Sequence, residues 1–102
     1  MFITGQLSQD VNGDIISPNN TEGQTKVVFS RIEAILKEAK MTFDNVVKAQ
    51  IFIKDITQAK IVSAIRDDVF KNSKPVSTLV EVSGFIKDEC VIEIKVTAVK
   101  LK

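Results

Sequence analysis

The stretch KPVSTLVEV, residues 74–82, predicts a β-strand that begins after a proline, and its two faces determine how the whole sheet is covered. Alternation gives one face with Val76, Thr78, Val80 and Val82, and a second face with Ser77, Leu79 and Glu81. On the second face an apolar leucine lies between two polar residues, so its pattern is typical neither of a solvent-exposed face nor of a buried one. Water, another subunit or a ligand could cover it.

The remaining alternating segments predict four more strands. They are MFITGQL at 1–7, an extended segment after the Asn12–Gly13 turn, NVVKAQIFIKD at 45–55 and CVIEIKVTAVKLK at 90–102. In the segment 45–55 the predicted inward set is Val47, Ala49, Ile51 and Ile53. In the last segment it is Ile92, Ile94, Val96 and Ala98.

Two segments have helical periodicity. Residues 22–39 carry an apolar stripe made of Val28, Ile32, Ile35, Leu36 and Ala39. Thr21 or Asn20 is the expected cap, with Gln24 completing a capping box. Residues 57–72 predict a second helix, with its stripe at Ile61, Ile65 and Val69 and with Val62 and Phe70 beside it. The order is therefore strand, strand, helix, strand, helix, strand, strand, which predicts an α+β fold with two helices on one face of a mixed sheet.

The uncovered face of the predicted sheet is the unusual part of this arrangement. Its members are Lys48, Gln50, Phe52, Leu79, Glu81, Glu93, Lys95, Thr97 and Val99. This mixture fits either a solvated face with a few tolerated apolar residues or an interface between copies of the chain, with Glu and Lys paired across it.

Length and composition exclude several classes of function. The 102 residues predict a single domain, 1–102, and the net charge of +1 makes RNA an unlikely partner. Cys90 is the only cysteine and no histidine exists, so we expect no disulfide, no metal site and no cofactor. The sequence has neither a membrane-spanning run nor a targeting segment, which favours the cytoplasm and leaves a mitochondrial location open.

Four stretches, in order and correctly spaced, resemble the RidA/YjgF family, also called endoribonuclease L-PSP. They are MFITGQLS at 1–8, EGQTKVVFSRIEAILKEAKMTFDNVVKAQIFIKDI at 22–56, PVSTLVEV at 75–82 and VIEIKVTAVK at 91–100. The resemblance implies a chorismate-mutase-like fold, a homotrimer with a central β-barrel, and clefts between subunits. The chain starts at the second strand of the family pattern, so the usual first strand is expected to be missing.

The family resemblance implies a reaction as well as a fold. Its members hydrolyse reactive 2-imino and 2-enamino acids to 2-keto acids and ammonia, bind small carboxylates without known turnover, or have been assigned ribonuclease activity. An arginine after the family's PA pair normally clamps the substrate carboxylate. Ser77 stands at that position here, and no arginine occurs in 71–102. The resemblance therefore implies weak deamination, with a non-catalytic carboxylate-binding trimer and an endoribonuclease as the alternatives.

The candidate site residues follow from the same resemblance. Glu93 matches a family glutamate that orients the attacking water, and otherwise it would pair with Lys95 or Lys48 across the trimer. Gly5 matches the glycine of the family's SGQ motif.

The strand at 75–82 and the second helix supply the other candidates. Ser77, Thr78 and the strand at Leu79 are expected to bind a ligand carboxylate, although simple strand hydroxyls are the plain alternative. Arg66 on the second helix could supply the missing positive charge or be a solvated helix residue.

Overall fold

The computed structural model describes residues 1–100, which form a four-stranded mixed sheet with two helices on one face. The strands are β1 (Phe2–Gln6), β2 (Val46–Ile53), β3 (Val76–Glu81) and β4 (Ile92–Ala98). The helices are α1 (Thr21–Glu38) and α2 (Ala59–Val69), with short 3-10 turns at Phe43–Asn45 and Ile56–Gln58. The strand order is β1-β4-β2-β3, in which β2 and β3 are parallel and β4 is antiparallel to both of its neighbours. The predicted α+β architecture is confirmed.

The core lies between the helices and the inward face of the sheet. The helix stripe predicted for α1 is confirmed, since Val28, Ile32 and Leu36 are fully buried. The alternation of β4 is confirmed as well, with its isoleucines, Val96 and Ala98 all buried. The strand ends at Ala98, and the predicted extension through 101–102 lies outside the described residues.

The inner face of α2 is rotated slightly from the predicted stripe. Val62 and Phe70 are buried, whereas Ile61 lies on the exposed rim. Phe70 contacts Phe29 and Phe43 edge-to-face, with ring centroids 5.6 and 5.8 Å away. These aromatic contacts fix the end of α2 against α1, because edge-to-face pairs add to the energy of burial.

The predicted strand after Asn12–Gly13 does not form. Within 7–20 only a single bridge joins Gln9 and Ile15, so the described sheet has four strands rather than five. The Asp10 carboxylate accepts hydrogen bonds from the backbone N–H groups of Asn12 (2.8 Å) and Asp14 (3.0 Å). These local bonds satisfy the turn backbone from a side chain and so compete with a strand ladder.

The two faces of β3 were predicted the wrong way round. In the parallel register Ser77 lies opposite Ala49 and Leu79 opposite Ile51, so both point to the helix side, where Leu79 packs on the core. Val76 and Val80 face outward and are 71% and 46% exposed. The pairing with β2 sets this orientation, because laterally paired residues share a face.

Two further sequence expectations were wrong in detail. Val46 is buried and Val47 is exposed, because a register shift between Val46 and Lys48 turns the start of β2.

Asn20 caps α1 by accepting from the Gly23 N–H at 2.9 Å. Gln24 forms no capping box there: its side chain is buried and bonds to the backbone of the neighbouring loops.

Candidate functional site

The predicted site residues fall into two groups on opposite faces of the sheet. Ser77 and Arg66 are on the helix side, at the edge formed by β3. Glu93 and Gly5 are on the open side, where Glu93 lies opposite Phe52 in the register. A site that used both groups would therefore need two chains, with the helix side of one approaching the open side of the other.

The first group is built where the end of α2 lies beside the start of β3. The Arg66 Nη1 lies 3.4 Å from the Ser77 hydroxyl oxygen, a weak hydrogen bond in which the guanidinium donates. The other edge of the guanidinium, Nε and Nη2, donates to the Asp67 carboxylate at 3.2 and 3.1 Å. The Arg66 side chain is only 23% exposed, so it is not a freely solvated helix residue.

A cavity of about 570 Å³ opens at this point, which we call the Arg66 pocket. Its lining includes Arg66, Asp67, Phe70, Lys71, Lys74 and Ser77. Three cations and one acid give the lining a net charge of +2. The volume is within the range of small-molecule sites, roughly 300–1,000 Å³.

The turn between α2 and β3 places the two lysines at the pocket. The Lys74 N–H donates to the Phe70 carbonyl at 2.9 Å, which closes the turn after the helix. Lys74 has φ +44°, a left-handed conformation that disfavours a residue with a Cβ, and Pro75 follows it. The backbone of the turn is thus fixed by one hydrogen bond and one proline.

The second group consists of Gly5 and Glu93, which lie in direct contact. A Cβ added to Gly5 would lie 2.6 Å from the carboxyl carbon of Glu93, so the glycine is needed for this close approach. Among residues 1–100, the ion pairs within 4.0 Å are Lys26–Glu22 and Arg66–Asp67. Within the described part of one chain Glu93 therefore forms no ion pair, and its pairing with a lysine of a neighbouring subunit stays a prediction.

The open face forms three cross-strand rows of mixed polarity. The rows are Val76, Lys48, Thr97 and Phe2; Thr78, Gln50 and Lys95; and Val80, Phe52 and Glu93. The Lys95 Nζ lies 5.4 Å from the centroid of the Phe52 ring, a cation–π distance. Thr78 is thus separated from Ser77 and Leu79, with which it was predicted to bind a carboxylate.

Sequence reasoning missed Lys71 and Lys74 as neighbours of Ser77. The available signal was the lysine-rich segment KNSK between the second helix and Pro75. The position of this segment at the pocket depends on the residue at which α2 ends, and the hydrophobic periodicity of the sequence gives that residue only approximately.

Three other features bear on function: the Cys90 thiol, clusters of metal-binding side chains, and helices that could cross a membrane. Burial raises the pKa of the Cys90 thiol, with the nearby Glu89 charge as a smaller cause, so the thiol is poorly reactive. Within 1–100, no cluster of three or more Cys, Asp or Glu side chains is arranged to hold a metal ion. In the same residues, no helix combines the length and the apolarity that crossing a membrane requires.

Comparison of the sequence with known proteins places the chain in a family. The family model for endoribonuclease L-PSP matches residues 1–100. A RutC family protein of Pyrococcus abyssi is 34% identical over 100 residues, covering 98% of this chain and 78% of the relative.

Solved structures agree in fold. A Rid family protein from Yersinia pestis, described as of unknown function, is 36% identical with a TM-score of 0.87, covering 95% of this chain and 77% of that one. A member of the YjgF/YER057c/UK114 family from Mycobacterium tuberculosis has a TM-score of 0.82 at 26% identity, covering 95% and 75%. Because the family model covers residues 1–100 and these relatives match nearly the whole chain, the chain belongs to the RidA/YjgF family, the endoribonuclease L-PSP family.

Proposed function

We propose that this chain binds small carboxylate-bearing metabolites in clefts between the subunits of a homotrimer, and that any hydrolytic deamination there is slow. The observation that carries the proposal is the Arg66 guanidinium beside the Ser77 hydroxyl. A guanidinium thus stands next to the strand position where the family resemblance expects one, although it comes from α2. Binding of an anion is supported further by the cationic lining of the Arg66 pocket.

The donor geometry explains why deamination should be weak. A carboxylate held by both N–H groups of one guanidinium edge is fixed in position and orientation. In this chain Asp67 occupies the edge formed by Nε and Nη2, and only the Nη1 side faces Ser77. The pocket can therefore attract a carboxylate but orients it less firmly, and orientation contributes strongly to rate.

Glu93 is the proposed catalytic residue if hydrolysis occurs. In that reaction water adds to the carbon of the C=N bond, ammonia leaves, and a 2-oxo acid forms. A carboxylate can accept a proton from the attacking water and orient it. The Glu93 carboxylate beside Gly5 has no cation within 4.0 Å in the described residues, so it is available for that role.

The proposal of a trimer rests on the open face and on the separation of the two groups. Phe2, Val76 and Val80 are exposed on one sheet face, and contact with another copy would bury them. A neighbouring chain could also bring a Glu93 face towards an Arg66 pocket. Light scattering should give three times the chain mass, and Val80→Asp should shift the protein towards the monomer. A stable monomer of the unmodified chain would refute this part.

Binding is tested by isothermal titration with 2-oxobutyrate at low ionic strength. Arg66→Ala should weaken binding about tenfold or more, because hydrogen bonds to charged groups contribute about 1.5–3 kcal/mol. Arg66→Lys retains the charge but loses the planar group that Asp67 holds and that directs Nη1 towards Ser77, so it should bind with intermediate affinity. Equal affinity of all three proteins would show that Arg66 is not the anchor.

Catalysis is tested by ammonia release from 2-aminoacrylate generated in situ. The double variant Ser77→Arg/Arg66→Ser moves the guanidinium to the strand and should hydrolyse the substrate faster than the unmodified chain. Glu93→Gln added to this variant should remove the gain. Circular dichroism of each variant confirms that it is folded. A folded double variant without any gain would contradict the assignment of Ser77 to the family arginine position.

A further inference from the structure

We infer that the Arg66 pocket selects dicarboxylates over monocarboxylates, with Arg66 facing one carboxylate and Lys71 and Lys74 the other. This rests on the proposed function, since it specifies the ligand class of the same site. The three cations come from one short segment, the end of α2 and the turn that follows it.

The hydrogen bonds of Arg66 argue against a simple monocarboxylate site. Asp67 already accepts from Nε and Nη2, so Arg66 offers a ligand mainly its Nη1 side. A single carboxylate would receive one arginine donor and the Ser77 hydroxyl, a weaker anchor than a bidentate clamp. Additional affinity has to come from other groups around the cavity.

The charge of the lining supplies that affinity for a second carboxylate. Asp67 neutralises one of the three cations, which leaves a net charge of +2 in the cavity. A monocarboxylate leaves one positive charge unmatched, whereas a dicarboxylate balances the site. Opposite charges concentrated at a concave site attract such a ligand at low ionic strength.

The shape of the pocket is consistent with a longer ligand. The lining includes Ser77, Phe70 and Lys74, and the cavity volume of about 570 Å³ leaves room beyond one carboxylate. Lys74 is fixed at its backbone by the Phe70 carbonyl and by the following proline. The lysine side chains are exposed, so they can adjust to the distance between two carboxylates.

The test is isothermal titration with 2-oxobutyrate and with 2-oxoglutarate, which carry one and two carboxylates. At low salt, 2-oxoglutarate should bind the unmodified chain about threefold to fivefold more tightly, the upper part of the range for exposed charge pairs. Lys71→Gln/Lys74→Gln should abolish this preference, because it should weaken the binding of 2-oxoglutarate more than that of 2-oxobutyrate, so that the ratio of the two affinities falls to about one. Lys37→Gln, an exposed lysine on α1, is the matched control and should change neither affinity.

The outcomes separate this inference from the proposed function. If both acids bind equally well to the unmodified chain, the dicarboxylate preference is overturned and carboxylate binding stands. If the preference survives in the double lysine variant, the role of the two lysines is overturned. If neither acid binds, the proposed function fails and this inference fails with it. The preference should also shrink when sodium chloride is raised, since salt screens exposed charges.

Discussion

Replacing Gln24 by alanine should destabilise the fold more than any surface change on α1. The Gln24 side chain is fully buried and joins three segments. Its Nε2 donates to the carbonyls of Ser17 (3.0 Å) and Glu89 (2.6 Å), and its Oε1 accepts from the Val91 N–H (3.0 Å). One side chain thus connects the start of α1 to the loop before it and to the segment that leads into β4.

The size of the effect follows from the burial of each bond. A buried polar group left without a partner costs about 1–3 kcal/mol. The Val91 N–H bond is buried and should contribute most, whereas the two carbonyl bonds are partly buried and water can replace them in part. We therefore expect Gln24→Ala to lower the free energy of unfolding by about 3–4 kcal/mol. For a domain of this size, the midpoint temperature of thermal unfolding should fall by about 12–30 °C.

Urea unfolding followed by circular dichroism measures the change. All proteins are compared at one concentration, because association of chains would shift the apparent stability. Lys37→Ala, at an exposed position of the same helix, should stay within about 0.5 kcal/mol of the unmodified chain. A loss below about 1 kcal/mol for Gln24→Ala would refute the role assigned to these three hydrogen bonds.

A second substitution at the same position checks the cause. Gln24→Glu keeps an acceptor for the Val91 N–H but turns oxygen atoms towards the two carbonyls. The folded-state pKa of the introduced carboxyl should be raised, because its neutral form alone can donate a hydrogen bond. The variant should therefore be most stable at acid pH and lose stability as the pH rises through that raised pKa. A stability that does not depend on pH would contradict this explanation.

Three other substitutions or reactions test separate features. Gly5→Ala should displace the Glu93 carboxylate and cost about 1 kcal/mol, and urea unfolding should show that this cost vanishes in a Glu93→Ala background; equal costs in both backgrounds would refute the contact. Lys40→Gly should stabilise the chain by about 1 kcal/mol in the same assay, since Lys40 follows the C-cap of α1 with φ +59°; a loss of stability would contradict this. Cys90 should react with a disulfide reagent at pH 8 only after urea unfolding, because burial raises its pKa; rapid labelling of the native chain would disprove this.

The parts of the fold that periodicity specifies were predictable. The α1 stripe and the β4 alternation each have one apolar face and one polar face, so burial leaves only one orientation. In contrast, β3 carries apolar residues on both faces, and its orientation follows from its register with β2 rather than from its own pattern. The adjacent Val46 and Val47 gave a similar ambiguity, which the register shift resolves.

The candidate site was predictable only where a local motif fixes it. Gly5 and Glu93 were selected from segments that resemble the family, but their contact was not predicted, and their roles in a site stay predictions. The proximity of Arg66 to Ser77 depends on the length of the turn that joins α2 to β3. A turn one residue longer would move the start of β3, and sequence patterns place element ends too coarsely to settle such a difference.

The position of β4 in the sheet has a consequence for how the protein is made. It lies between β1 and β2, although it is the last of the four strands to be synthesised. Until Ile92–Ala98 leaves the ribosome, β1 has no partner strand and β2 has only β3 on one side. The nascent chain must hold apolar strands unpaired during that time, which is when aggregation and chaperone binding compete with folding. The pairing of β1, and of the second edge of β2, therefore waits until all four strands have been synthesised.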